Sequence, residues 1–191
     1  MPILDIIERH EHPVLARYLR KWLSEAPNTF SVTRDASGAA AGFYCVFDPS
    51  AVPRQLLEED PVTRAWLNYL EEHSIPRQQR ILFIRRWLSA ETGEAPSPVQ
   101  AACRVDLKRK YLEFRPSLRR VYLALRDLQP YAAAAQTLGF RILDEAVVVS
   151  GEEQHSAMLD FGAGSVDGWL AWWQPNWEST ITDCWTMPDE S

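Results

Sequence analysis

Residues 80–89 have the sequence Arg-Ile-Leu-Phe-Ile-Arg-Arg-Trp-Leu-Ser, and they are the most informative segment for the architecture of the chain. Apolar residues occupy both alternating faces at its start, which is typical of a central strand covered on each side. The run is too short for a buried helix. Adjacent strand residues point to opposite faces, so we expect Arg85 or Arg86 to reach a cleft or to pair with a carboxylate. The sequence is compatible with either outcome.

Helix and turn signals surround this strand. Pro13 opens one predicted helix, while Asp60 and Ser97 are predicted N-caps that each precede a proline at the first helical position. Together with β-branched and aromatic runs, these signals indicate a domain of the α/β class. The predicted helices are 13–25, 61–70, 98–114 and 130–138, with a further short amphipathic helix over about 167–173. The predicted strands are 30–34, 42–47, 80–89, 121–125, 140–143, 145–150 and 154–161.

Composition limits the class of protein. The chain has 191 residues, 46% of them hydrophobic, which is enough for one large core and predicts a single domain over 1–191. Within it we distinguish helices and a hairpin (1–79), a core (80–161) and a tryptophan-rich tail (162–191). Apolar runs are too short for a membrane span, and no signal peptide is visible. Three scattered cysteines fit a reducing compartment, so we expect a soluble cytoplasmic protein.

Charge and aromatic patterning bear on partners. A net charge of -6 argues against nucleic-acid binding. Seven basic residues nevertheless lie between 104 and 120, either as a solvated helix face or as a phosphate-binding patch. Five of the eight tryptophans lie in the tail, where they could form a docking face for a protein partner or cover the core.

The order helix, hairpin, helix, central strand, loop, helix, strand, helix and strand pair resembles the GNAT (N-acetyltransferase) superfamily, most strongly over 80–161. The short Ala-rich helix ends Leu138-Gly139-Phe140, an ending frequent in that superfamily. The resemblance implies a mixed sheet whose central parallel strands splay apart to bind acetyl-CoA or another acyl-CoA. It also implies transfer of the acyl group, commonly acetyl, to a small-molecule or peptide amine.

The loop after the central strand departs from the family's pyrophosphate-binding pattern. Gly93 matches a glycine of that pattern, but Ala90 replaces its Gln or Arg, Glu94 adds a negative charge, and Pro96 and Pro98 each lack an N–H donor. A shifted site at the start of the next helix would retain backbone donors. The resemblance thus implies a cofactor site formed by Arg86, Trp87 and Leu88 along the pantetheine, and by Gly93, Ser97, Val99, Gln100 and Arg104 near the pyrophosphate.

The catalytic residues also differ from the family. Its usual tyrosine acid would stand at Ala135, and Tyr131 lies one helical turn earlier on the same face. Tyr131 is therefore the predicted acid, with a packed tyrosine as the alternative, and His155 is the predicted base. The sequence does not distinguish His155 from other candidate bases, namely Glu91, Glu94, Glu113 and Asp127, and each of the five could instead be a surface group. No spacing typical of metal ligands occurs, so no metal is predicted. The departures favour a second hypothesis, a catalytically inactive module that senses a ligand or binds a protein.

Overall fold

A computed structural model describes residues 2–143 and 145–173, and within these ranges the strands form a seven-stranded mixed sheet. The strands are β1 (Phe30–Arg34), β2 (Ala40–Phe47), β3 (Arg80–Ser89), β4 (Leu118–Leu125), β5 (Arg141–Ile142), β6 (Val147–Val149) and β7 (Glu152–Asp160). The order is β1-β2-β3-β4-β7-β5, and β6 pairs separately with β7. Only β3 and β4 are parallel neighbours, and both are interior. The prediction of a central strand at 80–89 is confirmed.

Seven α-helices belong to the described residues. They are α1 (Pro2–His10), α2 (Pro13–Glu25), α3 (Arg54–Glu59), α4 (Pro61–Glu72), α5 (Pro98–Glu113), α6 (Ala132–Leu138) and α7 (Ser165–Trp173). The N-caps are confirmed, since Asp60 Oδ1 accepts from the Val62 N–H at 3.0 Å and Ser97 Oγ from the Gln100 N–H at 3.2 Å. The sequence patterns predict neither α1 nor α3. None of these helices is long and apolar enough to cross a bilayer.

The helices cover the sheet on both faces. Trp22 of α2 and Trp66 of α4 pack with Phe83 and Tyr122 on one face, and all four are fully buried. On the other face, the buried side chains of the sheet pack against α5 and α7, with Leu107 among them. Burial on both faces explains why β3 carries a nearly continuous apolar run.

A β-bulge interrupts β3 at Arg85. Cys45 of β2 pairs with Arg86, while the next residue, Val46, pairs with Ile84, so Arg85 is an extra residue in the ladder. The alternation that predicts opposite faces for Arg85 and Arg86 therefore does not hold. Both side chains meet carboxylates on the face covered by α1, α2 and α4.

The pairing of β3 with β4 stops early. The last register pair is Ile84 with Leu123, although β3 continues to Ser89 and β4 to Leu125. Beyond Ile84, the strands separate at their carboxyl ends, and the loop that leads to α5 begins there. The predicted splay of the two central parallel strands is thus present, at the place where ligands bind in open α/β sheets.

Candidate active site

An apolar cavity of about 860 Å³ lies between the sheet and the helices α5, α6 and α7. β3 contributes Ile84 and Trp87, and β4 contributes Leu123 and Leu125, the residues at and beyond the start of the splay. The cavity therefore borders the separated strand ends. Its size falls in the range of about 300–1,000 Å³ that small-molecule sites occupy.

Trp87, Tyr131 and Arg104 form the end of the cavity nearest the splay. The Tyr131 ring stands edge-on to Trp87, with ring centroids 6.2 Å apart, and the Arg104 guanidinium lies 5.5 Å from the Tyr131 centroid. The Tyr131 hydroxyl donates a hydrogen bond to the Glu94 carbonyl oxygen. Burial raises the pKa of Tyr131, so its hydroxyl holds its proton at neutral pH and can act as a donor.

The loop after β3 folds back on itself. Gly93 adopts a left-handed φ of 60° and exchanges backbone hydrogen bonds with Ser89. A Cβ at Gly93 would lie 2.9 Å from His10 Nδ1, so a larger residue would require the loop to shift. The side-chain amide of Gln100 donates to the Gly93 carbonyl at 2.7 Å, and Gln100 is buried. Gln100 thereby ties the loop to α5.

Few backbone donors remain at the start of α5. Pro98 has no N–H, Gln100 N–H donates to Ser97 Oγ, and Ala101 N–H donates to the Ser97 carbonyl. Among the described residues, this leaves the N–H groups of Ser97 and Val99 without a hydrogen-bond partner. The helix start therefore offers two free backbone donors to an anion, together with the partial positive charge of a helix N-terminus.

A buried ionic network spans the splayed strands. The Arg86 guanidinium contacts Glu11, between α1 and α2, at 2.6 Å and Glu94 at 3.1 Å. The Glu94 carboxylate also accepts from the Arg126 N–H, just beyond β4. Burial opposes the charge of Arg86, but the two carboxylates more than offset it, and the pKa of Arg86 is raised. Glu94 thus points inward and joins the two strand ends, rather than placing its charge on the loop surface.

The remaining predicted residues lie apart from the cavity. Leu88 packs with α1 and α2 on the opposite face, among residues such as Ile7 and Phe43. His155 lies on β7 opposite Leu125 of β4, with its side chain 30% exposed and its Nε2 3.4 Å from Glu153. The structure therefore brings Trp87, Tyr131 and Arg104 together at the cavity, and Gly93, Ser97, Val99 and Gln100 at the start of α5.

The basic run from 104 to 120 divides into two groups. Most of its members pair with carboxylates: Arg109 with Asp106 and Glu113, Lys110 with Glu113, Arg115 with Asp167, and Arg119 and Arg120 with Asp160. Arg104 and Lys108, in contrast, line the cavity, and neither has a carboxylate within 4.0 Å in the described part of the chain. These two cations form the basic rim of the cavity.

The site fits part of an acyl-CoA better than the whole. The apolar cavity suits an acyl-pantetheine arm, and Arg104 and Lys108 offer charge to phosphates. The start of α5 provides two free N–H groups, those of Ser97 and Val99. No group of three or more metal-ligating side chains occurs in residues 2–143 and 145–173.

Two residues of this site are absent from the sequence-based prediction, Glu11 and Arg126, which belong to the network around Arg86. Lys108 of the rim is one of the seven basic residues predicted to form either a solvated face or a phosphate-binding patch. Arg86 in a strand covered on both faces predicts either a cleft position or a carboxylate partner, but nothing in the pattern singles out Glu11, 75 residues away. The spacing of Arg104 and Lys108, i and i+4 on one helix, would have indicated that they share a face.

No protein-family model and no curated protein matches this chain. Solved structures do resemble it. The C-terminal condensation domain of Ebony, in complex with beta-alanyl-dopamine, is 13% identical, with 83% of this chain and 91% of that chain covered and a TM-score of 0.52. FeeM, an N-acyl amino acid synthase from uncultured soil microbes, is 13% identical, with 87% and 92% covered and a TM-score of 0.54. Such low identity concerns the fold alone: the chain has a mixed α/β, GNAT-like fold with splayed central strands β3 and β4.

Proposed function

We propose that this protein is an N-acyltransferase that uses an acyl-CoA donor. The observation that carries the proposal is the end of the β3–β4 ladder at Ile84 and Leu123, directly beside an apolar cavity. A crevice at the carboxyl ends of separated parallel strands is where α/β sheets bind ligands. The name of one structural neighbour, an N-acyl amino acid synthase, agrees with this class of reaction. Acceptors are then small-molecule or peptide amines.

The reaction needs a proton to leave the amine and another to reach the sulfur. Bound acyl-CoA supplies a thioester, whose carbonyl carbon forms a bond to the amine nitrogen while its bond to sulfur breaks. We assign the proton that the departing thiolate takes up to the hydroxyl of Tyr131, which is protonated at neutral pH like any tyrosine and whose pKa burial raises further. We assign the proton lost by the amine to His155, which does not itself line the cavity but is the register partner of Leu125, a cavity residue of β4.

The other predicted residues divide between holding the donor and holding the loop. We propose that Trp87 contacts the pantetheine, and that Gly93, Ser97, Val99 and Arg104 face the pyrophosphate. Arg86 and Gln100 act by fixing the loop through Glu94 and Gly93, and Leu88 by packing β3 against α1. Acetyl-CoA is the simplest donor, and a CoA-dependent reaction together with buried free thiols fits a cytoplasmic location.

An inactive ligand-sensing or protein-binding module is the second candidate. Two observations favour it: the Arg86–Glu94 ion pair lies between the splayed strands, and Ala135, not a tyrosine, lines the cavity. In this case Trp172, which is exposed, belongs to the surface for a protein partner, while Trp177 and Trp185 of the predicted tail lie outside the described residues.

Thermal unfolding with and without acetyl-CoA, followed by a thiol-release assay with a panel of amines, tests the proposal. A ligand at a hundred times its Kd stabilises a fold by roughly 2.7 kcal/mol, which is readily measured. We expect stabilisation, and amine-dependent thiol release that Tyr131→Phe reduces by about 10²–10⁴-fold without weakening donor binding. Tyr69→Phe on α4 is the matched control. The module hypothesis is favoured if acyl-CoA of any chain length neither binds nor reacts.

A further inference from the structure

The cavity is longer than an acetyl group requires. Its wall follows α5 from Arg104 to Leu112, eight residues or about 12 Å of helix. On the sheet side it follows one face of β7 and the adjoining turn from Ala157 to Phe161, about 13 Å of extended chain. An extended backbone spans about 1.2 Å per bond, so this length accommodates a chain of roughly ten carbons.

The far end of this cavity is apolar. Leu159, Phe161 and Val166 form it, and all three side chains are buried. A site that only had to bind a two-carbon acyl group would gain nothing from an apolar wall so far from the splay. Each methylene moved from water into such a wall strengthens binding about fourfold.

Charge at the cavity has one sign. The ionisable groups of its lining are Arg104, Lys108, Arg141 and two tyrosines, and no carboxylate lines it among the described residues. Arg104 lies near the splay, over Tyr131, while Lys108 is one turn further along α5. An apolar cavity with a basic rim is complementary to an amphiphile that has an anionic head and a long alkyl chain.

We infer that the acyl group of the donor is a chain of about ten carbons or more. The thioester lies near Trp87 and Tyr131, the alkyl chain runs along β7 toward α7, and Arg104 faces the phosphates of the CoA. The inference rests on the proposed function and names its substrate class, a medium- or long-chain acyl-CoA in place of acetyl-CoA.

The test compares acetyl-CoA, hexanoyl-CoA and decanoyl-CoA on the full chain by calorimetry, with each donor below its micelle concentration. We expect affinity to rise with length and decanoyl-CoA to bind at least a hundredfold more tightly than acetyl-CoA. Equal affinities would overturn the inference and leave the proposed function standing. If none of the three donors binds, both are overturned.

Variants that fill part of the cavity test where the acyl chain of the donor lies. Leu159→Phe and Val166→Phe add volume to the far end of the cavity, at two buried positions on different elements. Each is expected to weaken decanoyl-CoA at least tenfold and to leave acetyl-CoA unchanged. Ala102→Leu, on the exposed side of α5, is the control. If either variant keeps its thermal midpoint and binds decanoyl-CoA as the wild type does, the acyl chain of the donor does not lie in this cavity.

Discussion

Arg85 and Arg86 are charged side chains that are buried in the core. Both are cationic and only 1% exposed, in a strand whose other side chains are mostly apolar. Burying an unpaired charge is costly, and each arginine meets a carboxylate from another element, Asp60 at the start of α4 or Glu11 between α1 and α2. The bulge at Arg85 makes this arrangement possible because it turns both side chains toward the same helices.

Replacing Asp60 tests how strongly Arg85 depends on its partner. Asp60→Asn keeps the N-cap of α4, since Asn caps as well as Asp, but leaves the Arg85 guanidinium buried beside a neutral group. We expect the free energy of unfolding to fall by about 3–5 kcal/mol in urea denaturation. The exposed Asp127→Asn should change it by less than about 0.5 kcal/mol. If the two variants lose similar amounts of unfolding free energy, the stability of the fold does not depend on the buried Arg85–Asp60 pair.

For single residues, the sequence predicts those structural features that depend on neighbours along the chain. The caps at Asp60 and Ser97 follow from a polar residue before a proline, a local signal. The choice of cleft or ion pair for Arg86 depends on Glu11 and Glu94, which other elements bring into contact with it. A bulge leaves no period in the sequence, so the shared face of the two arginines was not predictable from alternation.

Among the elements, β4 and β7 are joined by side chains as well as by their ladder. Arg120 and Asp160 are register partners and form an ion pair at 2.8 Å, and Arg119 lies 2.6 Å from the same carboxylate. Burial acts to raise the pKa of Asp160, but the hydrogen bonds from Arg120 and the Gly162 N–H and the charge of Arg119 more than offset it. The pKa of Asp160 is therefore lowered.

A lowered pKa gives this ion cluster a defined pH dependence. Ionised Asp160 stabilises the fold fully above the pKa of an unfolded aspartate, about 3.9, and that stability is lost as the pH falls through the lower pKa of the folded state. We expect Asp160→Asn to lower the thermal midpoint at pH 7 and to flatten its decline between pH 5 and pH 3. Parallel curves for wild type and variant over that interval would show that Asp160 does not cause the decline.

Element identity follows the sequence closely where periodic runs are long. The central strand, the helices after Pro13, Pro61 and Pro98, and the final hairpin all occur. The helix predicted from 130 begins instead as a 3₁₀ turn at Gln129–Tyr131, followed by α6. α1 and α3 have nine and six residues, too short for a periodic signal to stand out.

For the molecule as a whole, the two faces of the sheet have different contents. The face under α2 and α4 is filled by stacked aromatic rings, such as Trp22 and Phe47 at 4.5 Å, whereas the face under α5 to α7 encloses the cavity. The resemblance to the GNAT superfamily places Trp87, Tyr131 and Arg104 in the region of the cofactor, and in the structure Tyr131 contacts both of the others. The size of the cavity depends on how far α6 and α7 stand from the sheet, a distance that no local pattern in the sequence encodes.

Cysteine accessibility reports on this packing across the whole molecule. Burial raises the pKa of Cys45 to about 12 and also raises the pKa of Cys103, so both thiols are protonated and shielded in the folded state. In a Cys184→Ser variant, we expect a disulfide reagent at pH 8 to label these two thiols only as fast as the protein unfolds. Their labelling should follow the urea transition. Rapid labelling in buffer alone would mean that the core opens locally.

The extra residue in β3 has a consequence for comparing this chain with its relatives. Deleting Arg85 would restore simple alternation, and Trp87, Leu88 and Ser89 would each have to change sides or slip by one position against β2. A related protein without the bulge would thus lack one residue at this point, and its alignment with this chain would need a one-residue gap. An ungapped alignment through that point would equate residues that face the cavity with residues that face α1, and would transfer the wrong side chains to the site.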